Sequence, residues 1–283
     1  MLPQIRNLQL NLKSVDMTLA ELQTKLLDIA VDFHQFCEKH QLSYFVCGGS
    51  LLGAIRHSGY IPWDDDFDVA MPRVDYEKFL DLWQQEKHRY KLVSTRDPNY
   101  LKLGTPAKLH DDSYRLEEKD EEKNGMPKIS GYGLFFDIFP LDEYPNTRVG
   151  RYLNGYVGQL LIAKHLSQYP NIHRSFKQRF AFSFLKAIPK SWINHLVKRA
   201  KQYLQHHTNS DTRWGYGVDT PIINLWIHGD QLFPTKDIAY ENLTLKAPAN
   251  SVAYLSQRYG DYLKLPPESA RIPHILKIYK VVE

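Results

Sequence analysis

The sequence predicts an α+β or α/β body followed by a helical extension. Three observations predict it. Helix-type and strand-type apolar patterns succeed one another from residue 18 to residue 139. From 150 to 207 only the helical period persists, interrupted near Pro170 and Pro189. With 283 residues, 43% of them hydrophobic and 24% charged, the chain can bury a sizeable core. A body over 1–143, a basic helical extension over 144–210 and a C-terminal segment over 211–283 packing back on the body are expected.

The elements follow in order. Thr18 and Glu21 form a capping box, each able to satisfy a backbone N–H of the other. Leu19, Leu22, Leu26, Ile29, Phe33 and Phe36 then recur in steps of three and four, so 18–40 reads as a helix. Residues 43–47 read as a buried strand, Gly48-Gly49 as its break, and Ser50 as the start of a short helix. Residues 66–70 read as a second strand and 73–86 as a second helix, with Phe79, Leu80, Leu82 and Trp83 apolar. Strands are expected at 90–94, 102–110 and 133–139. The acidic run 117–122 with Asn124-Gly125 reads as a solvated loop. A short strand near 243–246 and a helix near 251–259 close the chain.

Composition removes several classes. Two cysteines, Cys37 and Cys47, make neither a disulfide framework nor a zinc motif, and read as small buried groups in a reducing compartment. The N-terminus lacks the pattern of a secretory signal, and no apolar run is long enough to span a bilayer. A cytoplasmic protein is expected, compatible with a peripheral place on the inner face of the membrane. Thirty-six Lys and Arg against 32 Asp and Glu give a net charge of +4. From Tyr144 to Ser210 there is no acid but eleven Lys and Arg, which leaves 25 basic against 32 acidic residues elsewhere. Within that segment Phe176, Phe180, Phe184 and Ile188 recur every fourth residue. The stripe reads first as core-facing, with a solvated basic side. The second reading is an anionic partner: lipid head group, polyanionic glycan or nucleotide. Nucleic acid is not expected, because no binding module is recognisable and the rest of the chain is acidic.

The densest chemistry lies at Gly48-Gly-Ser50 and Trp63-Asp-Asp-Asp-Phe-Asp-Val69. On a strand Asp66 and Asp68 share a face, joined by Asp64 if the strand starts early. Like charges on one face invite a hard divalent cation, Mg²⁺ or Mn²⁺, with oxygen ligands. Gly48, Gly49 and Ser50 let a phosphate approach a helix N-terminus. Asp137, the lone acid of an apolar strand, is expected to complete a metal site or to accept a hydroxyl proton. Arg56 and Lys108 are candidates for neutralising phosphate charge. Cation and phosphate cradle together are what phosphoryl or nucleotidyl transfer requires. His57, His110 and His228 have no triad partners and read as structural.

These same residues carry a resemblance. Residues 47–69, CGGSLLGAIRHSGYIPWDDDFDV, resemble the LicD family, as do Phe136-Asp-Ile-Phe-Pro-Leu-Asp142 and the tail Tyr259-Gly-Asp-Tyr with Leu265-Pro-Pro-Glu268. The resemblance implies a nucleotidyltransferase-like mixed sheet, with 1–143 as the catalytic core. It implies transfer of a phospho-substituent, often phosphocholine, from a CDP-linked donor to a hydroxyl of a cell-surface glycan, lipopolysaccharide, teichoic acid or capsule, with release of CMP. Asp66, Asp68 and Asp137 match the family's Mg²⁺ ligands. Fukutin-type ribitol-phosphate transferases share the motif, so ribitol or glycerol phosphate, or a nucleotide, stand as alternative transferred groups. The reading from another class is a non-catalytic membrane or glycan binder. The acceptor is expected to be lipid-linked if 144–210 meets the membrane.

Overall fold

The computed structural model describes residues 11–97, 105–119, 132–167, 176–206, 211–223 and 225–282, with backbone alone at 176–178. It is a mixed α+β structure, as expected.

Helix α1 (Leu19–His40) begins where the capping box places it. Glu21 N–H donates to Thr18 Oγ1 at 3.2 Å, and Thr18 N–H donates to Glu21 Oε2 at 2.8 Å. Its stripe of Leu22, Leu26, Ile29, Phe33 and Phe36 is buried and packs towards the long central strand. Two buried, free cysteines lie in the core: Cys37 on α1, and Cys47 just before Gly48.

The main sheet places β2 (Phe45–Val46), β3 (Asp68–Pro72), β7 (Leu134–Pro145), β5 (Ala107–Asp111) and β4 (Lys91–Ser94) side by side, with β8 (Thr212–Tyr216) pairing the far end of β7. A second sheet sets β11 (Ile275–Val282) between β1 (Asn11–Val15) and β6 (Tyr114–Glu118), and β9 (Lys236–Tyr240) pairs β10 (Leu243–Ala247). Between β2 and β3 lies α2 (Gly48–His57), and α3 (Arg73–Trp83) follows β3. Three helices fill the extension: α4 (Arg148–Leu166), α5 (Phe176–Ala187) and α6 (Lys190–His206). Helix α7 (Ser251–Tyr259) packs near α2.

Several expectations shift. Strand β3 starts at Asp68, not at residue 66; just before it, 61–64 is held in a turn by Asp64 N–H on Ile61 O (2.9 Å) and by Gln23 Nε2 on Asp64 O (2.8 Å). The solvated-loop reading of the acidic run is corrected at its start. Glu117 and Glu118 lie in β6, and Glu117 is buried, accepting from Tyr279 Oη at 3.0 Å. Residues 120–131, with Asn124-Gly125, lie outside the described residues, as does Pro170. The break at Pro189 separates α5 from α6. Helix α4 also bends at Asn154-Gly155, where Gly155 has φ 84°. A Cβ there would stand 1.9 Å from Ile223 Cγ2, so only glycine fits.

The expected boundary at 143/144 falls inside β7. An ionic cluster also joins the three stretches. Arg73 donates to both Asp142 oxygens (2.7 and 2.9 Å) and to Asp219 Oδ1 (2.6 Å), while Lys201 meets Asp219 Oδ2 at 2.8 Å. A satellite core of Tyr144, Val157, Ala200, Leu204 and Val218 seals the same junction.

The core-facing reading of the phenylalanine stripe is overturned at Phe180 and Phe184; Ile188 is half-buried, and the Phe176 side chain lies outside the described residues. Phe180 is 75% exposed and Phe184 68%. Phe182 and Leu185, on the other side of α5, are the half-buried ones. No described helix is long and apolar enough to cross a membrane.

Candidate active site

Three strands and one helix start build the site. Strands β3 and β7 run parallel with Asp68 opposite Asp137. Strand β5 runs antiparallel on the other side of β7 with Lys108 opposite Asp137. Asp68, Asp137 and Lys108 therefore form one row across adjacent strands, and side chains in register share a face. The backbone locks the row: Asp137 N–H donates to Phe67 O at 2.8 Å and Cys47 N–H to Asp68 O at 3.0 Å.

The glycine turn lies against two of the acids. Gly48, with φ 56°, sits where a Cβ would meet Asp68 Oδ2 at 2.5 Å. At Gly49 a Cβ would meet Asp64 Oδ2 at 2.8 Å. The start of α2 and the carboxylates are thus in direct contact, with no room between them for a side chain. The Ser50 hydroxyl is buried and accepts Asp68 N–H at 2.8 Å, so its side chain positions an acid.

Electrostatics mark the cluster. Burial, then the charges of Asp66 and Asp65, raises the Asp64 carboxyl to about 8. Burial, then Asp137 and Asp65, raises Asp66 to about 6. Asp68 is pushed well above the carboxylate range by burial, then by Asp66, Asp137 and Asp64. Asp65, also raised by burial, has its own partner: it accepts Ile275 N–H from β11 at 2.5 Å.

Asp137 is held differently from expectation. One oxygen is paired with Lys108 Nζ and the other accepts Thr105 Oγ1 at 2.9 Å. Among the described residues no three His, Cys, Asp or Glu side chains are arranged to hold a metal ion. Asp137 thus carries Lys108 as a counter-charge, while Asp66 and Asp68 both still feel the charge of Asp137. The remaining donors still suit a hard cation. Asp64, Asp66 and Asp68 are oxygen donors whose mutual repulsion a divalent charge would relieve.

Lys108 is fully buried, whereas Arg56 is half-buried. Lys108, 1% exposed, lies over the Phe135 ring as well as on Asp137. Arg56 donates Nε to His57 Nε2 (3.0 Å) and Nη1 to Tyr262 O (3.2 Å), although its charge acts on Asp64. His110 is buried, and burial pulls its ring down to about 4, in keeping with a structural role.

Three groups escape sequence reasoning. Arg258 on α7 lies over the rings of Tyr216 and Tyr259 (5.2 and 5.3 Å), and its charge acts on Asp68. Tyr60 and Tyr240 are buried with ring centroids 5.3 Å apart, and both feel the charges of Asp64 and Asp66. Their hydroxyls have no partner among the described residues, which leaves two donors beside the acids. The Tyr-Gly-Asp-Tyr tail signals Arg258 only by its neighbour Tyr259. Tyr60 is signalled only by its place inside the 47–69 motif, and nothing in the sequence signals Tyr240.

Residues 41–199 match the family described as LicD/FKTN/FKRP, nucleotidyltransferase domain, which covers more than half of the chain and includes every acid of the row. The chain belongs to the LicD family. It is 30% identical to the lipopolysaccharide cholinephosphotransferase LicD of Haemophilus influenzae over 91% of this chain and 96% of that protein. As a LicD-type protein aligned over nearly the whole of both chains, it is a transferase. Shorter matches occur with uncharacterised proteins of Rickettsia typhi (35% over 69 residues, 23% of this chain and 22% of that one) and Rickettsia prowazekii (40% over 50 residues, 18% and 19%).

Proposed function

We propose that this LicD-family chain transfers phosphocholine from CDP-choline to a hydroxyl of a cell-surface glycan of the lipopolysaccharide kind, releasing CMP, with Mg²⁺ or Mn²⁺ as cofactor. The observation that carries the reading is the contact of Gly48 and Gly49 with the carboxylates of Asp68 and Asp64. That contact sets a helix start and an anionic pocket together in a chain similar along its length to a cholinephosphotransferase.

Asp66 and Asp68, with Asp64 beside them, would hold the cation. When bound, it would neutralise the diphosphate and polarise the transferred phosphorus. The start of α2 orients the phosphates through its N–H groups and positive end, and Gly48 and Gly49 keep that approach free of side chains. Ser50 fixes Asp68 through its backbone. The acceptor oxygen attacks the choline-bearing phosphorus as the P–O bond to CMP breaks. Asp137 takes the hydroxyl proton at its carboxylate, and Lys108 keeps that carboxylate in place. Arg258, acting on Asp68 from α7, contributes the positive charge first sought at Arg56. A cytoplasmic place accords with two free buried cysteines.

Labelled CDP-choline, CDP-ribitol and CDP-glycerol, each incubated with glycan from the source cells, test the donor. Choline label reaching the glycan with CMP release supports the reading. Ribitol or glycerol label alone, or transfer of the nucleotide label, replaces phosphocholine by that group.

A further inference from the structure

We propose that helices α5 and α6 dock the protein on an anionic membrane surface. On α5, Phe182 and Leu185 are half-buried, and Lys164 of α4 clasps the helix end by donating to Leu185 O (2.8 Å) and Lys186 O (3.0 Å). That fixes which side of α5 meets the protein. Phe180 and Phe184, one turn apart on the other side, are 75% and 68% exposed. Helix α6 repeats the arrangement. Ile193, Ala200 and Leu204 are buried, while Trp192 is 72% exposed and Leu196, one turn on, 42%. Two successive helices thus each turn large apolar side chains to water, and exposure of that kind marks an interaction surface.

Charge selects the occupant. Arg179, Lys186, Lys190, Lys198 and Arg199 are exposed on the same two helices, and none pairs with an acid among the described residues. No Asp or Glu occurs from Tyr144 to Ser210. A second copy of this face would meet it charge on like charge. A soluble polyanion would satisfy the cations but offer nothing to Phe180, Phe184 and Trp192. An anionic bilayer satisfies both: aromatic rings at the head-group boundary, and Lys and Arg stems reaching back to the phosphates.

Sedimentation of the full chain with vesicles tests it. Vesicles of phosphatidylglycerol in phosphatidylcholine are expected to bind at least ~10-fold more tightly than phosphatidylcholine alone, since each basic residue near an anionic surface is worth several-fold. The variant F180S/F184S/W192S should lose ~10-fold or more of that binding with an unchanged melting temperature, because all three side chains lie outside the core. The variant K186E/K190E should lose the preference for anionic lipid. Absence of vesicle binding by the full chain, equal binding to both compositions, undiminished binding by either variant, or binding to a soluble polyanionic glycan without vesicle binding would each overturn the proposal.

Discussion

Asp68 on β3 and Asp137 on β7 stand opposite each other across the parallel pair of the main sheet, at the strand spacing of about 4.8 Å. Two carboxylates so placed repel, and the chain compensates from the far side: Lys108, opposite Asp137 on β5, pairs with it. Among the described residues Asp68 receives no such partner. Its nearest relief is the more distant charge of Arg258. The row thus leaves one acid satisfied and one in need of a cation.

That asymmetry sets the response to pH. Asp64, Asp66 and Asp68 have folded-state values above the ordinary 3.8. Between pH ~4 and ~8 the folded chain holds more protons than the unfolded one, so these groups make stability fall as pH rises. Melting temperature in chelator should drop from pH 5 to pH 8. Added Mg²⁺ should shrink the drop, acting more at pH 8 than at pH 5.

Gly48→Ala should cost both fold and activity. The Cβ would enter the Asp68 carboxylate at a left-handed backbone position. A loss of ~1–2 kcal/mol from the left-handed strain alone is expected by urea titration, with transfer reduced by at least ~10-fold.

Ser50→Ala leaves the Asp68 N–H without its acceptor. The expected destabilisation is ~1–3 kcal/mol, the usual cost of an unsatisfied buried donor. Transfer should fall at saturating donor, with a smaller change in KM, if the hydroxyl positions Asp68 rather than touching substrate.

Arg73→Met breaks the cluster that ties β7, α6 and the segment after β8. Asp142 and Asp219 would be buried without their shared cation, at a cost of ~3–5 kcal/mol. The measurement is the urea midpoint. Arg73 lies outside the carboxylate row, so residual activity per folded molecule should stay near that of the unaltered chain.

The fold was legible where the signal is local. The Thr18 and Glu21 capping box and its stripe mark α1 almost to the residue, and Asn250, whose side chain accepts Ala253 N–H at 3.0 Å, opens α7 where the helix reading begins. The sheet of β1, β11 and β6 was not, because its strands come from both chain ends and the middle. Only the β-branched run Ile275–Val282 carries a signal for it. At the site, the run of acids shows which residues gather but not who neutralises them. Lys108 and Asp137 lie 29 positions apart, and only the register of β5 on β7 brings them together. Periodicity likewise marks Phe180 and Phe184 as one face without telling whether anything covers it.

The most direct test is calorimetric titration of CDP-choline into the purified chain with and without Mg²⁺, repeated on Asp68→Asn with its melting temperature. Binding should require Mg²⁺ and vanish in the variant, whose melting temperature in chelator should hold or rise, because the amide removes a buried like charge. Mg²⁺-independent binding, or an Asp68→Asn protein that binds and transfers as well as the unaltered chain, would contradict a cation held at Asp68.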